Sequence, residues 1–339
     1  MNTFTLFRQR MIRPPLAAAL RTLGFLADLK TVFRSAPLHS NDEANAIRGL
    51  ASIHPAIPRQ VAKLRARVVD RGGKVAVQTV DDRESLFSRE QMQRCVEDVR
   101  EDGVYVFGER LPRPLLADLQ NALKALPAYL RTEDGREEQF RPGVDKSGLF
   151  DIREKDLMSQ GVLQEYATNP TWLWIAERYF SAPPVHDETV AWWTFPQPAK
   201  FASLNAQMFH SDRRRLSFLK FFTYLTDVTA RNGPHVVVPG SHRERRIGLR
   251  RDRRYEDAEV LAGCRRAPLE VLGEAGTVIA VDTQALHKGK LLEEGHRLIL
   301  EFQFATDLLG PPSATLQNAW SEVAKARIKA NPWAFQRFQ

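Results

Sequence analysis

Cysteine is scarce in this chain: the two present, Cys95 and Cys264, stand far apart and form no CxxC pair. That argues against a disulfide framework and a cysteine-built zinc site, and it fits two free thiols in a reducing cytoplasm. Long apolar runs are missing as well. No stretch approaches the roughly 18 uninterrupted apolar residues of a membrane-spanning helix. There is no internal repeat and no low-complexity tract. Net charge is +8, from 49 basic and 41 acidic residues, yet no aromatic and basic residues interleave and no nucleic-acid motif is present, so nucleic acid is not an expected partner. With 339 residues and 43% hydrophobic content, the chain can build one globular catalytic domain with an extension.

The extension is N-terminal. Leu16, Leu20, Leu23, Leu26, Leu29 and Phe33 recur at three- and four-residue steps, the apolar stripe of one helix face, with Pro14 and Pro15 at its start. Arg8, Arg10, Arg13, Arg21, Lys30 and Arg34 face a single acid, Asp28. A basic amphipathic helix of this kind, over 15–34, can lie on an anionic membrane surface, pack on the protein's own barrel, or meet a second subunit. A transit peptide has similar chemistry, whereas a secretory signal fits poorly because Arg21 splits the apolar run. Further helix is expected from Pro58 to Val69 and a short strand over Lys74–Thr79. Ser88 with Gln91 has the spacing of a capping box ahead of a helix through Val99, and Leu115–Leu130 reads as another amphipathic helix. The expected division is a helical extension over 1–87, a catalytic domain over 88–310 and a helical tail over 311–339.

From about residue 189 the apolar runs shorten, fill with β-branched and aromatic residues, and are bounded by Gly, Pro and Asn, which is strand grammar. Polar residues sit at the ends of these strands. His210-Ser211-Asp212 closes the aromatic stretch that begins at Trp192, His287 follows the apolar strand Gly276–Asp282, and Arg297 opens Leu298–Phe304. Two imidazoles and a carboxylate are the ligand set that holds Fe(II) and leaves positions open for a chelating cosubstrate and dioxygen. On a strand, residues i and i+2 share a face, so His210 and Asp212 can reach one metal while Ser211 turns away. An H-x-D triplet alone arises by chance, and a single strand-end histidine is ordinarily structural; the ordered set is what points to a metal site. Within Ser217–Leu225, one parity holds Phe218, Lys220, Phe222 and Tyr224, and the other holds only uncharged residues. The uncharged set suits contact with helices. Lys220 and Phe222 are therefore expected in the barrel lumen, where the lysine can pair with a carboxylate of cosubstrate or substrate; a surface lysine is the alternative.

Asn232-Gly233-Pro234 followed by Pro239-Gly240-Ser241-His242 resembles the NG-P-x-x-x-x-PGSH segment of the phytanoyl-CoA dioxygenase family, Fe(II)/2-oxoglutarate-dependent oxygenases with a jelly-roll fold. The resemblance extends over residues 88–306, through Gln91–Phe107 and Asn169–Glu177. It implies a mixed, mainly β structure: a double-stranded β-helix, cupin-like, with supporting helices. It also implies that His210, Asp212 and His287 are the catalytic iron ligands, that Arg297 anchors 2-oxoglutarate, and that dioxygen is the second cosubstrate. Ser211 stands where many members carry Gln, and Pro196-Gln197-Pro198 where Lys-Pro-Pro-Gly is usual. Asp212 fills the position that related halogenases leave to chloride by carrying Gly or Ala, so the resemblance implies hydroxylation, with release of succinate and carbon dioxide. A non-catalytic jelly-roll that binds a ligand or partner is the alternative.

Arginine gathers near these residues, in Arg213-Arg214-Arg215, through 243–254, and at Arg265-Arg266. Guanidinium groups grip carboxylate and phosphate in bidentate geometry, so an anionic, amphiphilic, lipid-linked or carrier-linked small molecule is the expected substrate. Arg213, Arg215 and Trp193 are the candidate contacts. A solvated loop with Asp252, Glu256, Asp257 and Glu259 as counter-charges is the plainer reading of the 243–254 stretch. The expected location is the cytoplasm, with peripheral membrane contact through 15–34 and room for an oligomer. Co-sedimentation with vesicles of rising anionic-lipid content tests the membrane expectation: the full chain pellets at low salt, and a chain starting at Ser40 stays in the supernatant. Equal partition of the two would reject it.

Overall fold

Ten antiparallel strands in two sheets organise the described part of the chain, with helices packed against the larger sheet. The structure, a computed structural model, describes residues 80–81, 83–132, 137–198, 206–244, 253–309 and 313–339, with six single positions between 47 and 64. The expected helix at 15–34, the strand at 74–79 and the arginine-rich stretch 245–252 lie outside these residues. Of the helix expected from Pro58 to Val69, the described positions Gln60, Val61, Ala62 and Leu64 are helical. Among the described residues no helix is long and apolar enough to cross a membrane.

In chain order the elements are α1 (Arg89–Asp102), β1 (Val104–Val106), α2 (Arg113–Ala125), β2 (Ala128–Leu130), β3 (Leu149–Ile152), α3 (Glu154–Leu157), α4 (Gly161–Ala167), α5 (Pro170–Phe180), β4 (Val185–Thr194), β5 (Phe218–Tyr224), β6 (His235–Val237), α6 (Asp257–Gly263), β7 (Leu269–Val271), β8 (Val278–Val281), β9 (His287–Gly289), β10 (Arg297–Ala305) and α7 (Glu322–Ala330). The larger sheet runs β1-β8-β5-β10-β4-β3-β2 and the smaller one β7-β6-β9. Facing antiparallel sheets joined by long crossovers make the jelly-roll.

Residue parity divides the core. Leu219 and Phe221 of β5, with Leu298, Leu300 and Phe302 of β10, face outward and pack under α1 and α5 in the main apolar cluster. Phe222 and Tyr224, with Ile279, Val281 and Ile299, face the smaller sheet and meet Val237 and Val271. The Tyr224 hydroxyl ties the layers together: it accepts from the His235 amide at 3.1 Å and donates to the Val271 carbonyl at 2.9 Å. Lys220 shares the inward parity, as its sequence position predicts.

Local chemistry sets the helix ends. The Ser88 hydroxyl accepts from the Gln91 amide and opens α1, and Gly103 closes it at φ 80°, a conformation that favours glycine. A Cβ on Gly103 would also stand 2.8 Å from His242 Nδ1. The tight approach exists because the Pro239–His242 turn is pinned there, with Gly240 donating its amide to the Asp102 carbonyl at 2.8 Å. The helix expected over Leu115–Leu130 stops at Ala125. Pro127 disfavours helical backbone at Leu126, which is extended, and the chain continues as β2 paired with β3.

The tail returns to the domain. Trp320 stacks on Phe338 at 4.7 Å, Phe335 enters the main cluster, and Arg337 pairs with Glu154 at 2.6 Å. One buried ion pair locks this region. Arg215 and Asp187 are both fully buried, with the guanidinium fork donating to the two carboxylate oxygens at 2.9 and 2.6 Å. Ser313 donates to the same carboxylate at 2.6 Å, and Arg215 Nη1 donates to the Leu308 carbonyl at 3.0 Å. Burial alone would raise the Asp187 carboxyl, but Arg215 and Ser313 hold it down at about 2. Removing one partner strands a buried charge, so Arg215→Ala should lower the unfolding free energy by about 3–5 kcal/mol in chemical denaturation, and a loss under about 1 kcal/mol would contradict this role.

Candidate metal and cosubstrate site

Two backbone hydrogen bonds build the centre of the site. His210 donates its amide to the His287 carbonyl at 3.0 Å, and His287 returns the bond at 2.9 Å. This isolated antiparallel bridge sets the two side chains on one face, with ring centroids 4.2 Å apart. The Asp212 amide donates to the Thr283 carbonyl at 2.8 Å, turning its carboxylate back toward the rings. Asp212 Oδ1 lies 3.6 Å from His210 Nε2, and Oδ2 lies 3.8 Å from His287 Nε2. One ligand atom from each of the three residues falls within 4.8 Å of the others.

Their protonation suits a metal. His210 Nδ1 lies 2.9 Å from the Met208 carbonyl, and His287 Nδ1 lies 3.0 Å from the Ala285 carbonyl. A carbonyl only accepts, so Nδ1 carries the proton in each ring and the Nε2 lone pair faces the cluster. Burial pushes His210 down to about 3, helped by His287, and pushes His287 down to about 4. Burial acts to raise Asp212, but Lys220 and the two histidines hold it well below the usual carboxylate range. The result is two neutral imidazoles and an ionised carboxylate.

The cluster lies in a cavity of about 270 Å³. Lys220 enters it from β5, with its ammonium 3.2 Å from Asp212 Oδ2 and 2.9 Å from Glu301 Oε1. The sequence predicts a carboxylate partner from cosubstrate or substrate; in the structure both partners belong to the chain. Phe222 lines the same wall. Arg297 is 4% exposed, and its Nε and Nη1 atoms are buried without a hydrogen-bond partner. Burial draws its guanidinium down to about 10. A buried cation with vacant donors, opening on the cavity that holds the ligand cluster, fits the far carboxylate of 2-oxoglutarate.

The expected substrate contacts lie elsewhere. Arg215 is consumed by Asp187 in the buried lock described above. Trp193 points to the other face of β4, where it joins Phe140, Phe195 and His296 along a separate cleft of about 960 Å³. Strand alternation gives the cavity position to its neighbour Trp192. Arg213 is half-buried and does not line the cavity. Of the arginine cluster between 243 and 254, Arg253 pairs with Glu259 at 2.6 Å, a counter-charge of the solvated reading, and Arg243 pairs with Glu101, which that reading did not name. Four charged or titratable lining residues escape the sequence reading: Arg131, Glu188, His235 and Glu301. The two-residue step from Arg297 through Ile299 was the available signal for Glu301. Glu188 pairs with Arg214 at 2.9 Å, and Arg131 pairs with Asp151 at 2.5 Å on the cavity wall.

The family model for phytanoyl-CoA dioxygenase (PhyH) matches residues 99–290, more than half of the chain. No curated protein sequence matches. Similar solved structures include AviO1 from Streptomyces viridochromogenes Tue57, 19% identical with TM-score 0.45 over 67% of this chain and 100% of that one. EctD from S. alaskensis with bound Fe is 19% identical with TM-score 0.46, covering 72% and 92% of the two chains. The non-heme alpha ketoglutarate dependent carbocyclase SnoK from nogalamycin biosynthesis is 19% identical with TM-score 0.46, covering 65% and 84%. None of these likenesses bears on the substrate. The matched segment spans the jelly-roll from α1 to β9 and contains the whole histidine–aspartate–histidine cluster, and the chain belongs to the phytanoyl-CoA dioxygenase family of iron- and 2-oxoglutarate-dependent oxygenases.

Proposed function

We propose that His210, Asp212 and His287 hold Fe(II), that Arg297 holds 2-oxoglutarate, and that the enzyme hydroxylates a small anionic or amphiphilic molecule, lipid-linked or carrier-linked, releasing succinate and carbon dioxide. The observation that carries the reading is the meeting of the three ligand residues with the vacant Arg297 donors in one cavity. Bound iron, with 2-oxoglutarate and dioxygen, supplies the oxidising power for an unactivated C–H bond. The chain supplies everything that positions the reactants. The Met208 and Ala285 carbonyls fix both imidazole tautomers, Lys220 steers one oxygen of Asp212, and Phe222, Ile299 and Trp192 exclude water.

Leu149, Val190 and Trp192 give the substrate an apolar wall. The Arg131–Asp151 pair beside them is about one-third exposed, so an anionic substrate group can exchange into it. The basic 15–34 segment would bring the enzyme to an anionic surface where such amphiphiles gather. Substrate-stimulated succinate release from carboxylate- or phosphate-bearing amphiphiles, compared with neutral analogues, tests this choice. Equal stimulation by the neutral set would reject it.

Replacing His210, Asp212 or His287 by Ala should abolish iron-dependent succinate release and stoichiometric metal binding while leaving the melting transition intact. Wild-type turnover in Asp212→Ala at low iron would overturn the ligand assignment. Arg297→Ala should raise the 2-oxoglutarate requirement by a factor of tens to hundreds, since a buried charge-assisted pair contributes roughly 2–4 kcal/mol. An unchanged 2-oxoglutarate dependence would move the anchor to another cation.

A further inference from the structure

Between the ligand cluster and the Arg297 guanidinium, the cavity wall is formed by a residue that the proposed reaction has not used. His235 on β6 is 6% exposed and pairs in register with Gly289 on β9. Its ring stacks on His287 with centroids 5.6 Å apart and planes at 24°, and leans on Phe222 at 5.0 Å. Gly289 presents no side chain, and Arg297 Nη2 lies 3.5 Å from where its Cβ would stand. The β6–β9 register therefore places the His287 ring, the His235 ring and the Arg297 guanidinium side by side along one wall.

Three nitrogen atoms on this wall have no partner. His235 Nε2 and Arg297 Nε and Nη1 are all buried without a hydrogen bond, and both residues line the metal cavity. Buried polar groups in folded proteins are almost always satisfied, so adjacent vacant groups around one cavity mark where a ligand's polar atoms belong. With its keto-acid head toward the metal, as in the proposed function, 2-oxoglutarate would have its far carboxylate left for this end. A carboxylate has two oxygens and about four lone-pair directions, more than one guanidinium edge fills.

We propose that His235 is a second anchor for the far carboxylate of 2-oxoglutarate, its Nε2–H donating to one oxygen while Arg297 donates to the other. His235 is thus a cosubstrate-positioning residue that selects a dicarboxylate over a simple 2-oxo acid. The inference rests on the 2-oxoglutarate reading of the cavity.

The test is calorimetric titration of the zinc-loaded protein, which does not turn over, with 2-oxoglutarate and with 2-oxobutyrate, which keeps the keto-acid head and lacks the far carboxylate. His235→Leu should weaken 2-oxoglutarate binding about tenfold, the scale of one hydrogen bond to a charged group, and leave 2-oxobutyrate within twofold. His235→Gln, which keeps a donor, should recover part of the loss. Zinc affinity, measured first, should stay within twofold in both variants. Unchanged 2-oxoglutarate binding in His235→Leu would overturn the proposal, and so would equal loss of both ligands. Loss of zinc in both variants would overturn it too, by reducing His235 to a support for His287. Failure of the unaltered zinc-loaded protein to bind 2-oxoglutarate would instead remove the cosubstrate reading on which the inference rests.

Discussion

The reciprocal backbone bridge between His210 and His287 is the constraint from which the site follows. It joins a point within the long β4–β5 connection to the first residue of β9. Without it the two imidazoles would belong to separate loops. With it, their separation is set by main-chain geometry and not by side-chain chance. The rest of the fold holds that bridge still. Ser241 of the turn after β6 accepts the Leu286 amide at 2.8 Å and donates to the Val238 carbonyl at 2.7 Å, fixing the approach to His287. Arg215, three positions beyond Asp212, is clamped to Asp187, fixing the exit from the other ligand segment.

Charge in the cavity is balanced inside the chain. Lys220 lies between Asp212 and Glu301, and its burial would lower the ammonium if the two carboxylates did not more than reverse the effect. Burial pushes Glu301 the other way, against the pull of Lys220. Such a triad is held by geometry, because any one member left alone would be a buried uncompensated charge. Arg297 differs: Tyr224 and His235 are near it, and among the described residues no carboxylate pairs with it. In the proposed function, that asymmetry separates a structural cation from one reserved for a ligand.

Much of this was legible in the sequence because the relevant signals are local. Strand alternation around Lys220 could be read because a single charge marks one parity of an otherwise apolar strand. The PGSH turn could be read because glycine and proline fix its backbone. Trp192 and Trp193 could not be told apart, since adjacent residues of equal apolar weight leave the register undetermined. Arg215 was misread for a different reason. An arginine close behind Asp212 reads as a contact for an anionic substrate, and the partner that buries it lies on β4, a distance along the chain that no local pattern spans. His235 stood inside the segment that carried the family resemblance. Its place beside the Arg297 guanidinium emerges only once β9 brings Gly289 across from it.

The Asp187 lock also has a consequence in time. Its members come from β4, from the segment after the metal ligands, from Leu308 and Ser313, and from Arg337, which donates to the Asp187 carbonyl. Contacts of such wide sequence separation form late, after the loops between them have closed. A nascent chain that has emerged as far as His287 already carries Asp187 and Arg215, yet Leu308, Ser313 and Arg337, which complete the lock, have still to follow. The lock beside Asp212 is thereby completed only when the C-terminal segment docks on β4.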